Sequence, residues 1–405
     1  MENYDILQPV THTKKLNLVS GSGAQLKDIE GKTYLDFNEI CVVLGQNNEH
    51  FINRVTTGLH GVTSGKSGYS PDKEKLYSFL METTGHKYNA IHLTSSGSET
   101  TEWAVKTALK MTGKTEVLSF WNSIHGRTHL SASMSGLPKR KTHYGPIAPG
   151  IVFSPYPDCS HCPFEKECGS CGFFCLRFLD NKVAYESAND IGAVIVEPYQ
   201  GGGVIIPPKG WLKALEAWAH KRGALFILDE IQSGMGRTGS LYRYQDEGLD
   251  PDMLLLGKGL GNGFHISALL TKDVPEEKYI HALTGGAGDD PLACCAACAV
   301  FENLLEKGLL EHIKNMSSLM EGKLRSIAEK YPALIRDIRC MGLACAVELS
   351  DREGFNKLMP LLRESGLLVS PSANNSFMLK PPYTVTADQI EEMSTILQRS
   401  ISLLA

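Results

Sequence analysis

Short apolar runs alternate with amphipathic stretches along most of the chain. Apolar runs that end at turn signals occur at 116–121 (EVLSFW), 193–198 (AVIVEP), 224–230 (ALFILDE) and 252–258 (DMLLLGK). Continuous apolar strands separated by helices are typical of a parallel sheet that helices cover on both faces. The pattern therefore predicts an α/β fold with a mostly parallel sheet, of the seven-stranded type, in a large domain.

The amphipathic stretches define the helices and the limits of the domains. The segment 98–113 has apolar residues at helical spacing and closes at a glycine, which predicts an amphipathic helix. The last quarter of the chain changes to long helical stretches with short strands between them. We expect a large domain over 46–300, and a small split α+β domain formed by 1–45 together with 301–405.

Composition excludes several classes of partner. The chain has 405 residues, 42% of them hydrophobic and 21% charged, and a formal net charge of −5. This charge gives no support to binding of nucleic acid or of an anionic membrane surface. The sequence shows neither an apolar stretch of membrane-spanning length nor a signal peptide, so we expect a cytoplasmic protein. In that compartment the eleven cysteines are expected as thiols or metal ligands rather than as disulfides.

Two charged residues stand at the ends of neighbouring apolar runs. Asp229 and Glu230 follow one run, and Lys258 follows the next, before a glycine-rich loop. Ligands of open α/β sheets bind at the carboxyl ends of the strands, and a desolvated lysine there is a good amine nucleophile. An Asp and a Lys in one cleft suit pyridoxal phosphate, whose aldehyde takes the lysine and whose ring nitrogen takes the carboxylate. The alternative is a structural ion pair at the sheet edge.

A third element is compatible with the same cofactor. The segment HLTSSGSETTEWAVK predicts a strand, then Ser96, Gly97 and Ser98, then a helix. Backbone N–H groups at the first helical turn, together with two hydroxyls, form a seat for a phosphate. The alternative is an ordinary helix cap without a ligand.

The three elements together resemble the class III aminotransferase family of fold-type-I pyridoxal-phosphate enzymes. The resemblance to ω-, 4-aminobutyrate and acetylornithine aminotransferases covers nearly the whole chain. Its most specific part is residues 225–264, LFILDEIQSGMGRTGSLYRYQDEGLDPDMLLLGKGLGNGF. The resemblance implies a large sheet domain, a small split domain, bound pyridoxal phosphate, and a homodimer or a dimer of such dimers.

The family pattern also implies roles for residues around the cofactor. Lys258 matches the Schiff-base lysine and Asp229 the partner of the pyridine nitrogen. Gln232 matches the position beside the 3-hydroxyl, and Gly97 and Ser98 match the phosphate loop.

A second set of implied roles concerns the substrate side and the partner subunit. Arg127, in HGR, matches the arginine that receives the substrate carboxylate, and Ile124 stands where an aromatic residue usually covers the cofactor ring. His125 adjoins the cofactor position, with a purely structural role as the alternative. Thr284 matches the threonine that reaches the phosphate of the partner subunit.

Two departures from the family pattern leave the reaction open. The loop EPYQGGGVIIPP lacks the inner glutamate of the family, and Met378 replaces the C-terminal arginine that pairs with it. We expect transfer of the amino group of a carboxylate-bearing amine or amino acid to an oxo acid, by a ping-pong reaction through Lys258. Racemisation or epimerisation, decarboxylation and elimination use the same chemistry and remain alternatives. A non-catalytic, metal-stabilised protein on this fold is a second alternative.

The cysteine-rich segment 159–175 lies outside the catalytic pattern. Two CxxC pairs and a fifth cysteine indicate zinc or an iron–sulfur cluster, with unliganded thiols as the alternative and His161 as a further ligand. The predicted ligands are Cys159, Cys162, Cys168, Cys171 and Cys175.

Overall fold

The computed structural model describes residues 16–61, 70–145, 147–273 and 290–404. The strands are β1 Leu18–Ser22, β2 Gln25–Asp28, β3 Thr33–Asp36, β4 Ala90–Thr94, β5 Glu116–Phe120, β6 Ile151–Ser154, β7 Ile191–Val196, β8 Leu225–Asp229, β9 Met253–Leu256, β10 Ser267–Thr271, β11 Ile335–Met341, β12 Ala344–Leu349, β13 Leu367–Leu368, β14 Ser370–Pro371 and β15 Ser376–Leu379. The α-helices are α1 Glu49–Leu59, α2 Pro71–Thr83, α3 Gly97–Thr112, α4 His129–Met134, α5 Phe174–Glu186, α6 Trp211–Lys221, α7 Arg243–Asp246, α8 Pro291–Glu306, α9 Leu309–Lys330, α10 Arg352–Glu364 and α11 Ala387–Ser402. Two 3-10 turns are Pro138–Arg140 and Lys258–Gly261.

A seven-stranded sheet in the order β4-β10-β9-β8-β7-β5-β6 forms the centre of the molecule. Strands β6, β5, β7, β8 and β9 run parallel to one another, and β10 runs antiparallel to both β9 and β4. The predicted α/β fold with a mostly parallel sheet is therefore confirmed. Because β8 and β9 are parallel neighbours, their carboxyl ends lie side by side at one edge of the sheet.

The sheet is buried on both faces because its strands are mostly apolar. In β8, Phe226 and Leu228 belong to the hydrophobic core on one face, and Ile227 belongs to the core on the other. The second core is completed by α3, through residues such as Ala104 and Ala108. Among the described helices, none has the length and the apolar character that a membrane crossing needs.

A smaller sheet joins the two ends of the chain. Strands β1, β2 and β3 form an antiparallel meander, and β13 adds to it in parallel, with Leu367 opposite Leu35. This pairing agrees with a small domain built from both termini. The domain limits at 45 and 300 remain a prediction, and the second of them falls within α8.

A third sheet, in the order β11-β12-β15-β14, belongs to the C-terminal part. Cys340 and Cys345 face each other across β11 and β12 and form a disulfide. The expectation that all cysteines are thiols or metal ligands is therefore wrong for this pair. The two residues are cross-strand partners in adjacent strands, a proximity that their spacing in the sequence does not show.

Helix α3 begins and ends where its sequence predicts. Ser96 is the N-cap, and its hydroxyl accepts a hydrogen bond from the N–H of Glu99 at 3.3 Å. Gly113 ends the helix with φ +68°, in the left-handed region that favours glycine. The cap fixes the first turn of α3 at the carboxyl end of the sheet, and this position matters for the site.

We predict that Gly113→Ala lowers the free energy of unfolding by about 1 kcal/mol, because a Cβ is disfavoured in the left-handed conformation. Apart from its chain neighbours, no atom of the described residues lies within 4 Å of the added Cβ, so the effect isolates the backbone strain. Urea unfolding followed by circular dichroism measures it. Gly322→Ala, in α9 and equally uncrowded, is the matched control and should raise stability by about 0.5–1 kcal/mol. Equal shifts in both variants would contradict the explanation.

Candidate active site

Asp229 is the last residue of β8, and its carboxylate is buried at the carboxyl edge of the sheet, with 5% exposure. One carboxylate oxygen lies 2.7 Å from Nδ1 of His125, and the other accepts the N–H of Ile231 at 3.1 Å. Within the described part of the chain, Nε2 of His125 has no hydrogen-bond partner. Burying a charge is costly unless it is paired, and these two donors keep Asp229 in place.

The loop that carries His125 is fixed by a second carboxylate. Glu197, directly after β7, accepts the N–H of Ile124 at 3.0 Å and the N–H of Gly201 at 3.0 Å. Burial raises the pKa of this carboxyl group. Gly202 approaches Ile124 so closely that a Cβ there would lie 3.1 Å from the isoleucine Cδ1. Glu197 thus connects the loop after β5 with the loop after β7.

Lys258 stands two residues after the end of β9. It opens the 3-10 turn with φ +44°, a left-handed conformation that is strained for any residue other than glycine. Such strain is found most often at functional sites, where the surrounding structure compensates it. The preceding Gly257 has no room for a side chain, since its Cβ would meet Oγ of Ser267 at 2.7 Å. The lysine is therefore held by its backbone in one place.

The first turn of α3 packs against the ends of both strands. A Cβ on Gly97 would lie 2.9 Å from Cδ1 of Ile231, and one on Gly257 would lie 3.3 Å from Cγ2 of the same side chain. The amides of the first helical turn have no acceptor within the helix and favour an anion. Oγ of Ser98 accepts the N–H of Arg127 at 3.0 Å, which brings the HGR loop to the same turn.

Gln232 lies on the other side of the strand ends. The side chain of Gln232 packs directly against Gly201, where an added Cβ would lie only 2.3 Å from Nε2 of the glutamine. Oε1 of Gln232 accepts a hydrogen bond from the Tyr199 hydroxyl at 3.4 Å. Gln232 thus contacts the loop that Glu197 holds. Thr284 lies outside the described residues.

Arg127 borders a cavity of 610 Å³ whose other charged lining residues are Lys139, Arg140 and Lys141, all cations. Burial lowers the pKa of Arg140, and the nearby Arg127 lowers it further. The carboxylate of Glu197 acts in the opposite direction and raises the pKa of Arg140. The cavity is therefore suited to an anionic group.

The predicted metal centre in the cysteine segment finds no support in the structure. Among the described residues, no group of three or more His, Cys, Asp or Glu side chains is arranged to hold a metal ion. Phe164 packs against Phe174 and Phe178 at ring-centroid distances of 4.9 and 5.0 Å, so an aromatic cluster lies within this loop. Burial raises the pKa of Cys159 to about 12, and the hydrogen bond with Cys168 acts in the same direction.

The predicted further ligand is also engaged elsewhere. Nε2 of His161 lies 2.8 Å from Glu348, and its Nδ1 lies 3.2 Å from Asp158. Cys162, Cys168, Cys171 and Cys175 line one cavity of 30 Å³ together with Cys159. The thiols are thus neighbours, but the structure does not place them as ligands.

Sequence reasoning overlooked the carboxylate of Glu197, and it assigned no role to Glu230. Glu197 follows β7 as Asp229 ends β8, and the rule that polar residues at strand ends line the site would have found it. Glu230 instead accepts the N–H groups of Arg243 at 2.7 Å and Tyr244 at 2.6 Å. Burial raises the pKa of Glu230 to about 7. Of the two adjacent carboxylates, Asp229 belongs to the site and Glu230 organises the loop that begins α7.

The solved structures that resemble this fold are transaminases. An amine transaminase from an uncultivated Pseudomonas species, solved in its pyridoxal-phosphate-bound internal aldimine form, superposes with a TM-score of 0.90 at 24% identity and covers 100% of both chains. The ornithine aminotransferase of Toxoplasma gondii superposes with a TM-score of 0.85 at 26% identity and covers 96% of this chain and 90% of its own.

Two curated relatives have a higher sequence identity to this chain than these structures do. The acetylornithine aminotransferase of Methanothermobacter thermautotrophicus is 31% identical over 99% of this chain and 97% of its own length. The leucine/methionine racemase of Thermococcus litoralis is 30% identical over 95% of this chain and 90% of its own. The family model described as aminotransferase class-III matches residues 7–401. These matches confirm the resemblance found in the sequence: the chain belongs to the class-III aminotransferase family of pyridoxal-phosphate-dependent enzymes.

Proposed function

We propose that this class-III aminotransferase transfers the amino group of a carboxylate-bearing amine or amino acid to an oxo acid, by a ping-pong reaction that uses Lys258. The observation that carries the proposal is the convergence of Asp229, Lys258 and the first turn of α3 around Ile231. A carboxylate, an amine and an anion-binding turn are the three groups that pyridoxal phosphate requires, so the residues fit the cofactor. When bound, it supplies an aldehyde that condenses with amines and a ring that accepts electrons.

Asp229 and His125 act on the ring nitrogen of the cofactor. A buried carboxylate next to that nitrogen favours its protonated form. His125 positions the carboxylate through its 2.7 Å contact and does not itself need to touch the substrate. His125 therefore acts on the cofactor through Asp229.

Lys258 is the group that moves the proton of the substrate. Its amine is the natural acid and base for taking a proton from one carbon and returning it to another. Around it, Ser96, Gly97 and Ser98 hold the phosphate, Gln232 lies beside the 3-hydroxyl, and Ile124 covers one ring face by dispersion. In the same proposal Thr284 reaches the phosphate of the partner subunit, in a cytoplasmic homodimer or a dimer of such dimers.

Arg127 holds the carboxylate of the substrate at the end remote from the reacting carbon. Its guanidinium can bind a carboxylate through two parallel hydrogen bonds. Support for this role comes from its place in the cationic cavity and from its backbone contact with Ser98, which keeps it beside the phosphate turn.

Racemisation is a second candidate, because one of the relatives is named a leucine/methionine racemase. The two reactions differ in the carbon to which the proton returns. An aminotransferase needs an oxo acid for turnover, and a racemase inverts an amino acid without one. Chiral chromatography of single amino acids incubated with the holoenzyme, with and without an oxo acid, separates them.

We predict that Lys258→Ala lowers turnover by about 10³-fold or more, since it removes both the covalent link and the acid/base. The near-visible absorption band of the bound cofactor, which borohydride abolishes in the wild type, should be missing from the start. Lys357→Ala, an exposed lysine paired with Glu353, is the control and should behave like wild type. An unchanged band in the Lys258 variant would disprove the assignment.

We predict that Arg127→Met raises KM for a carboxylate-bearing amine by about 10- to 100-fold, the effect of one lost charge-assisted contact. Steady-state kinetics with that amine and with an uncharged analogue of equal length measures it. The KM of the analogue should not change. Arg325→Met, which removes a surface arginine paired with Glu321, is the control. Equal losses for both amines would argue against a carboxylate at Arg127.

We predict that His125→Phe weakens binding of pyridoxal phosphate by about tenfold or more, because Asp229 loses its buried partner. Fluorescence titration of the apo-protein with the cofactor gives the dissociation constant. His220→Phe breaks a His–Asp contact of similar length, 2.8 Å to Asp252, at the surface and serves as the control. If both variants bound the cofactor equally well, the positioning role of His125 would be refuted.

A further inference from the structure

The cavity of 610 Å³ at the HGR loop has more positive charge in its wall than one carboxylate can balance. Arg127 lines it together with three consecutive cations, Lys139, Arg140 and Lys141, which we call the basic turn. The basic turn follows from local structure, because its first two residues end the 3-10 turn Pro138–Arg140 and the third comes directly after it. Pockets of about 300–1,000 Å³ commonly hold small organic ligands. The cavity is therefore large enough for part of a substrate.

The wall of this cavity is connected to the candidate active site by direct contacts. The N–H of Arg127 donates to Oγ of Ser98 at 3.0 Å. Gly126 also lines the cavity, and a Cβ added to it would lie 2.8 Å from the same hydroxyl. His125, the preceding residue, lies 2.7 Å from Asp229. One short loop therefore joins the buried carboxylate, the first turn of α3 and the wall of the cavity.

The cations of the cavity have no counter-charge beside them. Within the described parts of the chain, no acidic side chain lines the cavity and no ion pair joins any of its four cations to a carboxylate. Glu197 influences Arg140 only from a distance, and its carboxylate is engaged by the amides of Ile124 and Gly201. Like charges around one space repel each other, and a bound anion relieves that repulsion.

The side chains of the basic turn are held in different ways. Nζ of Lys141 lies 4.1 Å from the centre of the Phe153 ring, which fixes this half-buried lysine by a cation–π contact. Arg140 is half-buried as well, whereas Lys139 is exposed. The basic turn thus offers two cations of restricted mobility and a third that can adapt to a ligand.

The number of cations indicates the kind of anion. Under the proposed function Arg127 takes a carboxylate, which has one charge and two oxygens that match a guanidinium. Three cations then remain for a second group. A phosphate monoester carries about 1.5–2 negative charges at neutral pH and three strong acceptor oxygens. It matches three neighbouring donors better than a second carboxylate does.

We propose that the basic turn binds a phosphate monoester of the substrate, next to the carboxylate that Arg127 holds. The substrate of one half-reaction is then a phosphorylated amino acid or the corresponding phosphorylated oxo acid. The inference rests on the proposed function, because that function assigns the carboxylate to Arg127. The phosphate serves for binding alone, and no bond to phosphorus forms or breaks.

Two acids without an amino or oxo group test the inference. Both 3-phosphoglycerate and glycerate carry a carboxylate, and only the first carries a phosphate. Neither can react at Lys258, so isothermal titration calorimetry of the holoenzyme measures binding without turnover. Wild type should bind 3-phosphoglycerate about 10- to 100-fold more tightly than glycerate, the effect of one or two charge-assisted contacts.

The basic-turn variant replaces its three residues together, as Lys139→Met, Arg140→Met and Lys141→Met. It should bind both acids with the affinity that wild type has for glycerate, because Arg127 is still present. Lys139→Met alone changes an exposed side chain and leaves the fold intact. This single variant should lose about 2- to 5-fold in affinity for 3-phosphoglycerate and nothing for glycerate.

A control variant removes the same number and kinds of cation from the surface of α9 and α10. It carries Lys323→Met, Arg325→Met and Lys357→Met, whose side chains are paired with nearby glutamates. This variant should keep the wild-type preference for 3-phosphoglycerate. The comparison separates a local phosphate site from a general effect of net charge.

Salt gives a second measurement on the same proteins. Raising sodium chloride from about 50 to about 500 mM screens the charges, so the wild-type preference for 3-phosphoglycerate should shrink. In the basic-turn variant the two affinities should stay equal at every salt concentration.

Three results would overturn the inference. One is wild-type protein that binds the two acids equally well, and another is a basic-turn variant that keeps the full preference. The third is a basic-turn variant with an unchanged thermal midpoint but without the cofactor band, since its cations would then serve the phosphate of the cofactor. Failure of the proposed function differs from all three, because wild type itself would show no band that borohydride removes. Wild type with this band and equal affinity for both acids would reject the phosphate site alone.

Discussion

A buried carboxylate at the end of β8 is the constraint around which the site is organised. Asp229 tolerates its burial because His125 and the amide of Ile231 contact its two oxygens. To bring His125 there, the loop after β5 must cross the sheet edge, and Glu197 holds this loop by the backbone of Ile124. The geometry of the strand ends thus follows from the electrostatics of one side chain.

The local parts of this arrangement could be predicted from the sequence. Asp229 and Lys258 were identified because each follows an apolar run, and the parallel order of β8 and β9 places those ends side by side. Ser96, Gly97 and Gly113 were found as cap and turn residues of α3. Each of these inferences needs only residues that are close in the chain.

Other features depend on contacts that local patterns do not contain. The contact between His125 and Asp229 joins residues 104 positions apart, and that of Lys380 with Phe37 joins the two ends of the chain. In the cysteine segment, the spacing of the thiols alone does not show what packs within the loop. The local pattern shows neither that Phe164 packs against Phe174 nor that Nε2 of His161 lies 2.8 Å from Glu348.

The parallel pairing of β13 with β3 has a bearing on how the protein is made. Leu367 lies opposite Leu35, so the small sheet can close only after residue 367 has left the ribosome. Pairings of such long sequence separation form slowly, because the loop between them must be closed first. Until residue 367 has been made, the edge of β3 that pairs with β13 is unpaired and therefore open to aggregation.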